Sequence, residues 1–495
     1  MMNVLFVAAE AEPFAKTGGL GDVVGSLPRA LRQLGIDARV LIPHYGTIDS
    51  NAYGLTHNFF YQYERPQGVA DVHVSKTVYR DVPFYFLRSW PFFDHPYLYT
   101  DLNWDTERFI FFSQATMGAV WQLRLGADHE TGAWWPDVIH VHDWHTGLVP
   151  FLVYLSRFEP YWNQTATVLT IHNMAYQGIM AGDRLAQAGV PPRDHPVLNA
   201  LGRSGDLLPI AIAYADKLNT VSPNHAIELH YPRFGEGLET MIWARDRDFC
   251  GILNGLDMDR YNPETDKAIF HQYNADNFRT ERIHNKRKLQ ELMGFEVRDD
   301  VPLLGVVSRL VEQKGIDLLA PALRALCIDT DVQVVILGTG DPQLEHEMWR
   351  IGNDFSWKAR ANTYFDPILA QRIYAGSDLI LMPSRYEPCG MAQMIALRYG
   401  ALPVARETGG LVDTIENYDN ADADYGTGFL FLWEEPTALL NTIRWAIDTY
   451  LHRRAAFERM QERGMRRDWS WHHSARQYES LYQKAIEVKR SWMKE

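Results

Sequence analysis

A chain of 495 residues exceeds what one ordinary hydrophobic core organises, so two large domains are expected. Its 46% hydrophobic and 22% charged residues describe a globular protein, and a formal net charge of −14 argues against nonspecific binding to nucleic acid or to an anionic membrane. Three scattered cysteines, Cys250, Cys327 and Cys389, give neither a disulfide framework nor a zinc site and fit a reducing compartment.

The chain opens with an apolar strand, Val4–Ala8, followed by Lys16-Thr17-Gly18-Gly19-Leu20-Gly21-Asp22. A helix is predicted over Gly25–Leu34, where Leu27, Leu31 and Leu34 recur at helical spacing, Pro28 marks a kink and Gly35 a stop. The start is a strand, not a signal peptide, and no apolar run approaches the roughly 18 residues of a membrane span, so the cytoplasm is the expected location. Residues 51–110 read as a strand pair and a long loop. Further strands are predicted at Ala38–Ile42, Val138–Val141, Thr167–Ile171 and Lys217–Val221, then at Leu303–Val307, Val332–Leu337, Leu379–Met382 and Leu402–Val404. Continuous apolar strands separated by helices predict parallel sheets covered on both faces. The boundary falls at the turn-rich Asn254-Gly255-Leu256-Asp257, giving domains 1–253 and 254–472. A final segment, 473–495, contains an amphipathic helix over Ala475–Met493 that would pack back on the first domain.

The candidate chemistry sits at strand ends, where doubly wound folds bind ligands. In the first turn the glycines let backbone approach a diphosphate or sugar, Lys16 can neutralise charge, and Asp22 can accept from sugar hydroxyls; a solvated surface turn is the plainer alternative. After Leu303–Val307, the loop Ser308–Gly315 offers Arg309 as a planar fork and Lys314 as a point charge for phosphate. After Leu379–Met382, Glu387 stands in Glu387-Pro388-Cys389-Gly390, able to contact a sugar hydroxyl or to counter positive charge at an anomeric carbon. Thr408-Gly409-Gly410 supplies backbone donors at a helix start.

His140, His142 and His145 resemble metal-ligand spacing, which keeps a metal-dependent hydrolase as the rival reading; a hydrogen-bonded core histidine is the plainer account of His140. Asp143 at that strand tip is a hydroxyl acceptor, and His172 just past the next strand can hydrogen-bond a sugar. The Asp-x-Asp pairs Asp246/Asp248, Asp257/Asp259, Asp329/Asp331 and Asp422/Asp424 are unrelated matches in an acidic chain, and no metal is assigned to them. A glucan-binding protein without catalysis is a third reading, against which Lys16, Arg309, Lys314 and Glu387 speak together.

Taken in order, seven segments resemble the bacterial glycogen synthase and plant starch synthase family over nearly the whole chain. They are Lys16–Asp22, His140–His145, His172–Gly178, Gly251–Asp257, Arg309–Gly315, Glu387–Gly390 and Thr408–Gly410. The resemblance implies two Rossmann-like doubly wound α/β domains facing across a deep cleft, the GT-B type. It implies retaining transfer of glucose from ADP-glucose, or alternatively UDP-glucose, to the 4-hydroxyl of an α-1,4-glucan, with no metal or other cofactor. By position, Arg309 and Lys314 correspond to diphosphate ligands, with backbone donors near Gly18, Gly19 and Thr408–Gly410. Glu387, His172, Asp143 and Asn254 correspond to the sugar site, with Cys389 and Gly390 beside it, and Lys16 and Asp22 to its closure. Phe365 stands where the family usually has a tyrosine near the adenine, and offers a ring without a hydroxyl.

Overall fold

The computed structural model describes residues 1–95, 97–419 and 425–492. Asp422, Asp424 and Met493 lie outside the described residues. The chain forms two compact units, Met1–Gly255 with Trp471–Glu495, and Leu256–Ser470.

The first unit is built on nine strands: β1 (Asn3–Val7), β2 (Asp37–Pro43), β3 (Thr56–Arg65), β4 (Gly68–Tyr79), β5 (Val82–Arg88), β6 (Val138–His142), β7 (Ala166–Ile171), β8 (Lys217–Thr220) and β9 (Phe249–Gly251). They form one sheet in the order β3-β4-β5-β2-β1-β6-β7-β8-β9. Only β3–β4 and β4–β5 pair antiparallel. The order reverses between β1 and β6, whose register runs Val4↔Val138 to Val7↔Val141. That reversal leaves a crevice beyond the carboxyl ends of the two strands, the ligand position of doubly wound sheets.

Two stretches differ from the sequence expectation. Residues 51–110 hold three strands and the start of a helix, Leu102–Arg124, in place of a strand pair and loop. Asp101 caps that helix, its carboxylate accepting from the N–H groups of Asn103 and Trp104. The helix escapes periodicity because its residues are buried in an unbroken run from Arg108 to Thr116, so no polar face alternates with an apolar one. The first helix spans Gly19–Gln33, starting six residues before the expected Gly25, because tertiary packing holds a glycine-rich first turn that propensity disfavours.

The C-terminal helix, Trp471–Trp492, lies on the first unit, burying Tyr478, Leu481, Tyr482 and Ala485. Two buried polar bonds fix its register. Tyr482 OH is 2.9 Å from His140 Nδ1, and Asn219 Nδ2 donates to Tyr478 OH at 3.0 Å.

The second unit is an all-parallel six-stranded sheet: β10 (Leu303–Val307), β11 (Gln333–Leu337), β12 (Ala359–Asn362), β13 (Leu379–Met382), β14 (Leu402–Arg406) and β15 (Phe429–Phe431). Its order is β12-β11-β10-β13-β14-β15, the Rossmann order, with the reversal between β10 and β13. The edge strands β12 and β15 are absent from the sequence reading. They have only four and three residues, too short for a pattern to stand out.

Candidate active site

In the first unit, the segment after β1 turns back through Lys16–Gly18 into the helix at Gly19. A Cβ added at Gly18 or at Gly19 would meet nothing within 4 Å, so the protein's own packing does not require glycine there. Lys16 Nζ lies 2.6 Å from Asp22 Oδ1 and 3.6 Å from Glu12 Oε2.

Glu10 is a residue the sequence reading missed. It is buried, and its Oε2 accepts from the N–H groups of Thr17 at 2.6 Å and Gly18 at 3.0 Å, while Tyr99 OH donates to Oε1 at 2.5 Å. A resident carboxylate therefore holds the first donors of the turn, including the Gly18 N–H expected to face a ligand. The signal available was a lone acid at the end of an apolar strand, which by itself reads as a strand terminus.

At the tip of β6, Asp143 has φ +54° and ψ −167°, a conformation that non-glycine residues rarely hold and that costs about 1–3 kcal/mol. Tertiary bonds maintain it: Asp143 N–H donates to the Thr170 carbonyl at 3.0 Å, and Oδ1 accepts from the His172 N–H at 2.6 Å. Asp143 and His172 are thus brought together from the ends of β6 and β7. Burial, with a small addition from the Glu10 charge, pushes the Asp143 carboxyl up to about 7. Burial also lowers His172 to about 3, so its imidazole is neutral at pH 7. Its Nε2 lies 3.0 Å from His142 Nδ1. Asn254 is buried near the end of the unit's first segment, its Oδ1 without a hydrogen bond among the described residues.

The metal-hydrolase alternative loses its donor set. His140 is fully buried with Tyr482 OH on Nδ1 and Thr170 Oγ1, at 2.6 Å, on Nε2. His145 packs edge-on against Phe109 with ring centroids 4.8 Å apart. Among the described residues no three His, Cys, Asp or Glu side chains are grouped to hold a metal.

In the second unit, the loops after β10 and β13 are joined. Arg385 N–H donates to the Gln313 carbonyl at 2.9 Å, and Lys314 Nζ lies 2.5 Å from Glu387 Oε2, which also accepts from Ser384 Oγ at 3.0 Å. Arg385 is clamped by Asp317 and Glu434, and Arg406 donates to the Ser384 carbonyl at 2.8 Å, so the segment carrying Glu387 is held from both sides. Arg309 is exposed and bonds Gln313 Oε1 of its own loop at 2.9 Å.

The helix Gly409–Thr414 begins against the same segment. Gly409 has φ +46°, and a Cβ there would lie 2.0 Å from the Glu387 carbonyl oxygen, so only glycine fits. Gly410 N–H donates to that carbonyl at 3.0 Å, so this expected donor is already engaged. Gly390, at φ +70°, sits against Glu387 and Gln393, and the carbonyl of buried Cys389 accepts from Gln393 Nε2 at 3.0 Å. Phe365 is 86% exposed, next to Asp366, which caps the helix Pro367–Gly376.

Two Rossmann-like units, each carrying charged side chains at the reversal of its strand order, have the architecture of a glycosyltransferase of the GT-B class. The comparisons narrow this. The family model described as starch synthase catalytic domain matches residues 3–244, and that described as glycosyl transferases group 1 matches residues 292–464. The glycogen synthase of Streptococcus gordonii is 40% identical over 494 residues, covering 98% of this chain and 100% of the relative. That of Thermotoga maritima is 39% identical over 497 residues, covering 98% and 99%. The catalytic domain of starch synthase IV from Arabidopsis thaliana, solved bound to ADP and acarbose, superposes with a TM-score of 0.87 at 30% identity, covering 98% and 99%. Sucrose-phosphate synthase from Thermosynechococcus elongatus, at 17% identity and a TM-score of 0.62, shares the fold. The chain belongs to the glycogen synthase and starch synthase family of glycosyltransferases.

Proposed function

We propose that this chain transfers glucose from ADP-glucose to the 4-hydroxyl at the non-reducing end of an α-1,4-glucan, with retention of configuration. The observation that carries the reading is the Lys314–Glu387 pair at the strand reversal of the second unit. As the nucleoside diphosphate departs, charge grows on its oxygens, and the Lys314 ammonium and Arg309 guanidinium are suited to stabilise it. Glu387, held by Lys314 and Ser384, faces the complementary task of offsetting positive charge at the anomeric carbon.

In the first unit, Asp143 and His172 are suited to bind hydroxyls of the glucosyl group, with Asn254 near the end of that unit's first segment. The room beside Gly18 and Gly19 supports close approach of a ligand to the turn, with Lys16 and Asp22 at its rim. Phe365 offers an exposed ring for stacking on the base. ADP bound to the Arabidopsis relative supports adenosine over uridine as the donor nucleoside. Same-face attack, in which the departing phosphate takes the acceptor's proton, needs no enzymic nucleophile. A glucosyl adduct trapped on any side chain would refute that route.

The test is incubation with radiolabelled ADP-glucose or UDP-glucose, with and without glycogen, followed by polymer precipitation. Glycogen-dependent incorporation from ADP-glucose is expected. Incorporation from UDP-glucose alone would overturn the donor assignment, and none from either would overturn the reaction.

A further inference from the structure

We propose that buried His142 sets the proton on its neighbour His172, holding it as the neutral Nδ1–H tautomer, so that His172 meets the transferred sugar as a hydrogen-bond donor. The donor role rests on the reading of His172 as a sugar-site residue; the proton position does not.

His142 is fully buried, and its Nδ1 lies 3.0 Å from His172 Nε2. Burial holds both rings neutral, so one proton lies between those two nitrogens. Two arrangements exist. In the first, His142 Nδ1–H donates, His142 Nε2 is a bare lone pair, and His172 carries its proton on Nδ1. In the second, His172 Nε2–H donates, and His142 carries its own proton on Nε2.

The surroundings of His142 Nε2 choose between them. That atom is buried and has no hydrogen-bond partner among the described residues. Phe6 stacks on the ring at 5.7 Å, and the His140 ring, 4.3 Å away, has both nitrogens committed to Tyr482 and Thr170. An orphaned buried N–H is rarer and more costly than an unfilled acceptor lone pair. The first arrangement is therefore favoured. The backbone of His142 is itself fixed, since Thr146 Oγ1 accepts its N–H at 2.8 Å and donates to its carbonyl at 3.0 Å.

Among the described residues His172 makes no other side-chain hydrogen bond, and its Nδ1 is not among the buried unpaired atoms, so the Nδ1–H is left open to an incoming hydroxyl oxygen. His142 is thus a positioning residue that acts through His172. A donor at this point favours a sugar that places an oxygen there over one that lacks it, because the N–H would otherwise go unpaired.

The test is nitrogen-15 imidazole spectroscopy of the histidine-labelled full chain at pH 7, with the His172 signals identified by their loss in His172→Asn. Wild type is expected to show a protonated Nδ1 and a bare Nε2 on His172; the reverse pattern overturns the assignment. His142→Asn keeps an amide donor where Nδ1 stood and is expected to preserve the pattern, with kcat/KM within about threefold of wild type. His142→Asp puts an acceptor where the donor stood and is expected to move the His172 proton to Nε2 and to lower kcat/KM about tenfold, the size of one hydrogen bond. An unchanged spectrum in His142→Asp would overturn the role of His142. Wild-type turnover in His172→Leu, which has no donor where Nδ1 stood, would remove the donor role while leaving the proton assignment to the spectrum.

Discussion

Lys314 Nζ lies 2.5 Å from Glu387 Oε2, a cation and an anion contributed by the loops after β10 and β13. The glutamate side chain is 7% exposed and the lysine 19%, so each is the other's main compensation for lost water.

Removing Lys314 therefore has two consequences, and removing Arg309 only one. Lys314→Ala is expected to lower kcat by about 10²–10³ through lost stabilisation of the leaving group, and to cost about 1–3 kcal/mol of stability by leaving Glu387 unpaired. Arg309→Ala, at an exposed site, is expected to lose activity with a change in stability within about 0.5 kcal/mol. Urea melts beside single-substrate kinetics check both. Wild-type turnover in the two variants would contradict the assigned role.

Gly19 separates folding from function in the opposite sense. It is the first residue of its helix, and a methyl group there meets no protein atom within 4 Å. Gly19→Ala is expected to leave stability unchanged or raise it by up to about 1 kcal/mol. Activity should fall, because the methyl fills space needed by ligand. Thermal melts and donor KM read the two effects, and an unaffected KM would argue that no ligand reaches this turn.

Asp143 should leave a pH signature. Its folded carboxyl is raised to about 7, while in the unfolded chain it titrates near the ordinary 3.8. Between those values the native state binds more protons than the unfolded one, so the Asp143 contribution to stability is fullest below about 4 and falls until pH passes about 7. Asp143→Asn, neutral throughout, is expected to exceed wild type slightly in stability at pH 5 and by more at pH 8. Activity needing the ionised acceptor should rise through about pH 7 in wild type and stay low in the variant. Equal urea midpoints for the two proteins at both pH values would contradict the raised carboxyl.

Glu10 and Tyr99 test the anchoring of the glycine turn. Tyr99→Phe removes one hydrogen bond to the carboxylate and is expected to cost about 1 kcal/mol. Glu10→Gln weakens the grip on the Thr17 and Gly18 N–H groups and is expected to raise the donor KM more than Tyr99→Phe does. Faster amide exchange at Thr17 and Gly18 in Glu10→Gln, with core exchange unchanged, is the corresponding local reading.

The parallel strands were legible because buried strands are continuous apolar runs. β10 and β13 were read to their observed ends, and β1, β6 and β7 to within one residue. The Leu102–Arg124 helix was not, since burial on nearly all sides erases its period. Charged residues at strand ends were legible as candidates from local sequence and strand position. Which of them pair was not: Lys314 reaches Glu387 across 73 residues, whereas Arg309 stays within its own loop.

By itself the sequence determined the alternation of strands and helices, the two-unit α/β class and the family motifs, all of which depend on residue type and short spacing. Tertiary structure alone decided that Glu10 occupies the first donors of the glycine turn, that His140 is core and not ligand, and that His142 backs His172. Those facts depend on which strands become neighbours in the sheet, and strand order brings together side chains that no local spacing connects.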